Sequence, residues 1–105
     1  MSSNKNKRPA ILFYPKDWLS DVKLRMCSME ARGMLIDLMC YLHDADLYGK
    51  CYINGAKLSQ NDIMKLLGLE KRKFNKLWAE LLQNGVIRQD ENGVFYSKRM
   101  VEDER

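Results

Sequence analysis

Apolar positions recur along this chain at two different periods. Between Ser59 and Gly85 they follow helical spacing twice, first as Ile63, Leu66 and Leu67, then as Phe74, Leu77, Trp78, Leu81 and Leu82. Each set falls on one side of a helix with 3.6 residues per turn. After Gly85 come two β-prone runs, Val86-Ile87-Arg88 and Val94-Phe95-Tyr96, joined by Gln89-Asp90-Glu91-Asn92-Gly93. The residues at the boundaries agree with these periods. Ser59 can accept a bond from an unpaired N–H of the first turn, and Asp62 stands three residues on, where a capping-box acid goes. Leu58 and Ile63 flank that cap as a hydrophobic staple, and Gly68 supplies a left-handed stop. Asn84-Gly85 closes the second helix, and Asn92-Gly93 is a strong hairpin signal.

Helix, three-residue turn, helix and two-stranded ribbon, in that order, predict an α+β fold: a helix-rich winged helix-turn-helix with a small antiparallel sheet. The helix of interest for function runs from about Lys71 to Asn84. Opposite its apolar stripe lie Arg72, Lys73, Asn75, Lys76, Ala79, Glu80 and Gln83.

Upstream, Ser28 is a second N-cap candidate, and a long helix is predicted from Met29 to about Ala45. Its main apolar arc holds Ala31, Met34, Leu35, Leu38, Met39, Tyr41, Leu42 and Ala45. A smaller strip of Met29, Ile36 and Cys40 lies on nearly the opposite side, with Glu30, Asp37 and Asp44 as an acidic line between. Two stripes require two covers, since a surface helix hides one. The second cover is either the segment from Ile11 to Met26, the favoured choice, or another protomer. Ile11–Tyr14 is expected as a short strand, Lys16–Ser20 as a helical turn, and Cys51–Ile53 as a third strand beside the wing. Residues 1–9 are expected as a disordered basic tail, 10–97 as the winged-helix domain, and 98–105 as the start of a C-terminal helix or linker capped by Ser97. Met100 and Val101 are too few to dock that last helix firmly, so the chain reads as a domain whose parent continues past Arg105.

A length of 105 residues suits one domain with one core. No apolar run is long enough to span a bilayer, no leader is evident, and three cysteines do not suggest a disulfide framework. A reducing cytoplasm is the expected compartment. The net charge is +4 and unevenly placed. Residues 1–27 hold six Lys/Arg against two Asp, and residues 59–85 hold five against three, while 28–58 and 86–105 each come to −1. The excess of base in the helix-turn-helix is in the direction of a nucleic-acid binder.

The run Phe13-Tyr14-Pro15-Lys16-Asp17-Trp18-Leu19-Ser20-Asp21, then Leu24, then Ser28-Met29-Glu30-Ala31-Arg32-Gly33, resembles the winged-helix domain that opens many phage and prophage replication proteins. Replisome-organiser and DnaD-like primosome proteins, and related prophage proteins of unknown function, are of this kind. The resemblance covers about Pro9 to Arg99. It implies a role in phage DNA replication, with a helicase or its loader among the partners. Domains of this kind serve both DNA binding and assembly of protomers.

In a DNA complex the Lys71–Gln83 helix would enter the major groove. Arg72, Asn75 and Lys76 would meet base edges or phosphates, Lys73 and Gln83 the backbone, and Ala79 would permit close approach, with Lys71 a further contact candidate. Arg88, Lys98 and Arg99 are further backbone candidates at the base of the ribbon. Lys5, Lys7 and Arg8 are candidates for a minor-groove arm. Glu70 at the helix start and Asp90 and Glu91 at the wing tip stand against phosphate contact there. The alternatives are an oligomerisation module built on the long helix or N-terminal segment, and a dimeric transcriptional regulator with two reading helices one DNA turn apart. Cys40 and His43, with Cys27 and Cys51, give no Cys-x-x-Cys pair, so neither metal nor other cofactor is expected. With no phosphate-cradling glycine loop and no nucleophile elbow, the chain does not read as an enzyme.

Overall fold

Ser28 starts the central helix. Its Oγ accepts a bond from the Ala31 N–H at 3.1 Å, and helix α3 runs Met29–Leu42. Two short helices precede it, α1 (Pro15–Ser20) and α2 (Val22–Arg25). The computed structural model describes residues 9–104, so the arm of Lys5, Lys7 and Arg8 lies outside the described residues. After α3 come strands β1 (Tyr52–Ile53) and β2 (Ala56–Lys57), helices α4 (Gln60–Leu67) and α5 (Lys71–Gln83), strands β3 (Ile87–Gln89) and β4 (Phe95–Ser97), and helix α6 (Lys98–Glu104). This is an α+β, helix-rich winged helix-turn-helix.

The start signals act as their chemistry dictates. Ser59 Oγ accepts from Asp62 N–H at 3.0 Å and the Asp62 carboxylate accepts from Ser59 N–H at 2.9 Å, a reciprocal capping box. Gly68 ends α4 in the left-handed region, φ 71°. Leu81 O then accepts from Val86 N–H beyond Gly85, which turns the chain into β3.

The core lies where α3, α5 and the wing meet. Leu35, Leu38 and Leu42 of α3, Ile63 of α4, and Phe74, Trp78 and Leu81 of α5 are sealed from solvent. Trp78 stacks on Phe74 at 5.3 Å between centroids and meets Phe95 of β4 edge-on at 5.2 Å. The wing is therefore anchored to the inner face of α5 by aromatic contact. Among the described residues no helix is long and apolar enough to cross a membrane.

Several local expectations are corrected. Ile11–Tyr14 is irregular rather than a strand. The outer side of β4 is taken instead by the loop after α3, with Ser97 N–H donating to Gly49 O and Cys51 N–H to Phe95 O. The expected third wing strand makes only an isolated bridge, Lys50↔Tyr96, supported by Cys51 N–H donating to Phe95 O at 2.7 Å. Tyr52–Ile53 instead folds back on Ala56–Lys57. Asn54 and Gly55 both take positive φ, 53° and 76°, the geometry of a tight hairpin turn. Helix α3 stops at Leu42, short of Ala45: Asp44 and Ala45 N–H donate only three residues back, to Tyr41 O and Leu42 O, and Asp46 N–H donates to Tyr52 O instead of continuing the helix. Helix α6 is firmly docked, contrary to expectation. Met100 is 2% exposed within the core, and Gly49 allows its close approach. Finally, the segment before α3 leaves the second strip uncovered, with Met29 75% and Ile36 37% exposed and Cys40 exposed.

Candidate nucleic-acid interface

Helix α5 presents its polar side to solvent as a direct result of its buried side. Phe74, Leu77, Trp78 and Leu81 are 3% exposed or less. At about 100° per residue this turns Arg72, Asn75, Lys76 and Gln83 outward, and all four are exposed. Lys71 is exposed at the first turn, and Ala79 sits half-buried among the outward set. Together they form a face with three cations, two amides and one small residue, carried on a rigid helix of 13 residues.

Two members of the polar side are drawn to the flank that meets α3. Lys73 Nζ lies 2.8 Å from Glu30 Oε2, and this pair lowers the Glu30 carboxyl below its ordinary range and raises the Lys73 ammonium above its own. Glu80 accepts from both the backbone N–H and the hydroxyl of Ser28, at 2.7 and 3.0 Å. Lys73 is thus paired to α3 at the flank of the face, with its side chain still 51% exposed.

The ribbon candidates are dispersed. Arg88 Nε donates to Gly85 O at 3.1 Å. Lys98 pairs with Glu102 one turn along α6, at 3.2 Å. Arg99 is committed inward: its guanidinium lies 5.1 Å over the Trp18 ring and 3.2 Å from Asp21 Oδ2. Its side chain is 15% exposed. Arg99 therefore serves to pin α6 to α1 and α2.

Glu70 is the N-cap of α5, its carboxylate accepting from Lys73 N–H at 2.8 Å. That occupies the N–H group an incoming phosphate would use. At the wing tip Asp90 accepts from Asn92 and Val94 N–H groups at 2.8 and 3.0 Å. The bond from Val94, with that from Asn92 and the nearby Lys50, holds its carboxyl below the usual range. Asp90 thus shapes the turn.

The sequence pattern missed two lysines that reach this tip. Lys50 Nζ is 3.4 Å from Asp90 Oδ2, and Lys57 Nζ donates to Asn92 O at 3.3 Å. The bridge of Lys50 to Tyr96 carries the first there and the fold-back of β2 onto β1 the second, 40 and 35 residues away in sequence. They offset part of the tip's negative charge.

The cysteines are not gathered. Cys27 and Cys51 are buried and Cys40 is exposed, and burial pushes the Cys51 thiol up to about 12. His43 Nδ1 lies 3.1 Å from the Tyr48 hydroxyl. Among the described residues no three His, Cys, Asp or Glu side chains converge on a metal-sized site. The chain matches no family model, no curated protein and no solved structure.

Proposed function

We propose that this chain is the DNA-binding winged-helix domain of a phage-type replication protein of the replisome-organiser kind, and that α5 docks in the major groove of duplex DNA. The observation that supports it is the exposure of Arg72, Asn75, Lys76 and Gln83 on one side of a helix whose other side is locked into the core. Arg offers two parallel donors to guanine and Asn pairs with adenine in both senses, whereas Lys neutralises phosphate. Lys71, at the first turn, is a phosphate contact. The wing contributes little, since Asp90 and Glu91 occupy its tip. The replication assignment rests on the Phe13–Asp21 and Ser28–Gly33 runs, and it makes a helicase or its loader a partner of the parent protein.

The test is a duplex-binding titration of the whole chain across salt. Affinity should fall steeply with ionic strength. Lys76→Ala should flatten the slope of log K against log salt by about 1, and Arg72→Ala should cost about 1–3 kcal/mol and relax base preference. Both variants should keep the wild-type melting temperature. Absence of wild-type binding to a mixed-sequence duplex at low salt would overturn the proposal.

A further inference from the structure

Met29, Gly33, Ile36 and Cys40 follow one another along α3 at intervals of four, three and four residues, the spacing of a two-helix seam. All four are exposed, with Met29 at 75% and Ile36 at 37%. Ala31, Met34, Leu35, Leu38, Met39 and Leu42 face the core, so the helix carries one buried arc and, flanked by Arg32 on one side and by Glu30, Asp37 and Tyr41 on the other, one bare apolar line.

Gly33 is the informative member. A Cβ built there meets nothing within 4 Å, so packing inside the domain does not require glycine. In mid-helix it is about 1 kcal/mol worse than alanine. A bare backbone in the centre of an apolar strip allows a second helix to approach closely. The charges beside the strip are of opposite sign on its two flanks. Asp37 lies on one side, with Glu30 already paired to Lys73, and Arg32 on the other; Glu30, Gly33 and Asp37 also rim an open groove of about 230 Å³ between α3 and the α4–α5 turn.

We propose that the occupant is a second copy of this chain, its α3 running parallel to the first about a two-fold axis. Met29, Gly33, Ile36 and Cys40 form the seam, and Arg32 of each copy faces Asp37 of the other. Charge selects the direction. Parallel pairing opposes the acidic flank to the basic one, with the five-residue offset between Arg32 and Asp37 that spans such a seam. Antiparallel pairing would set acid against acid. Helix α3 has 14 residues, about 21 Å at 1.5 Å per residue. Its seam falls short of the roughly 800 Å² per partner of a standard interface, so the pair is weak and concentration-dependent. This inference stands apart from the DNA proposal, since it uses no residue of the exposed α5 face.

Sedimentation velocity of the whole chain from about 10 μM to 1 mM tests it. The mass should rise from 12.4 kDa toward twice that value. Ile36→Glu and Gly33→Leu should stay monomeric with melting temperatures within a few degrees of the parent. Arg32→Asp and Asp37→Arg should each weaken association about tenfold, and the double exchange should restore it. Mild copper-phenanthroline oxidation should link the pair through Cys40, the exposed cysteine, and Cys40→Ser should abolish the link. A wild-type monomer at 1 mM, or association unaffected by Ile36→Glu, would overturn the pairing. A dimer without rescue by the double exchange and without a Cys40 link would overturn the parallel register.

Discussion

Glu80 on α5 accepts two hydrogen bonds from Ser28, one from its N–H at 2.7 Å and one from its hydroxyl at 3.0 Å. The same hydroxyl accepts from Ala31 N–H at the start of α3. A single carboxylate therefore ties the start of α3 to the flank of α5, whose outward side is fixed by the buried Phe74, Leu77, Trp78 and Leu81.

Ser28→Ala should cost about 1–2 kcal/mol, since it removes a helix cap and half of the Glu80 contact. Glu80→Ala should cost a similar amount, and the double variant less than the sum by about 0.5–1 kcal/mol. Urea unfolding of the four proteins measures the cycle. Additive losses would mean that the two residues act separately.

Acid should destabilise the fold through carboxylates held below their ordinary range. Asp62 is lowered by the Ser59 backbone and side-chain bonds, Glu30 by Lys73, and Asp90 by the Val94 N–H first. Because their folded values are depressed, their stabilisation is fully present above the unfolded values near about 4. It is lost as pH falls through the folded ones. Urea midpoints from pH 7 to pH 2.5 should stay level to about pH 5 and then drop. Asp62→Asn should lower the plateau and reduce the drop.

The opposite sign holds for Lys73, whose folded value is raised by Glu30. Its contribution is present below the unfolded value near about 10.4 and lost as pH rises through the folded one. Lys73→Met should remove that alkaline loss in the same unfolding series.

Two left-handed glycines should respond differently to alanine. Gly68 (φ 71°) has open space around a built Cβ, whereas Gly49 (φ 80°) would place it 2.9 Å from Met100 Cβ. Gly68→Ala should cost about 1 kcal/mol for the backbone conformation alone. Gly49→Ala should cost about 2–4 kcal/mol, adding the displacement of a buried side chain. Thermal melts rank the two, and equal losses would mean that α6 yields freely.

The α4–α5 unit was readable from the chain because its signals are local. Ser59, Asp62 and Gly68 act on backbone groups within a few residues, and the Phe74–Leu82 stripe repeats at the helical period whatever it packs against. The outward set on α5 follows from that stripe. Asn54-Gly55 is a turn signal of the same local kind, while the strand after it shows no pattern, since Ala56-Lys57 is too short to show a period.

What the sequence by itself determined was the order of elements from α4 to β4 and the inner and outer sides of α4 and α5, because capping and periodicity depend on neighbours along the chain. Tertiary structure alone decided which charges are spoken for. Arg99 turned inward to Trp18 and Asp21, Lys73 to Glu30, and Lys50 and Lys57 to the wing tip. It also decided that Met100 is buried and that Met29 and Ile36 stay bare. Each of these depends on partners tens of residues away, and no local pattern encodes where the fold will bring them.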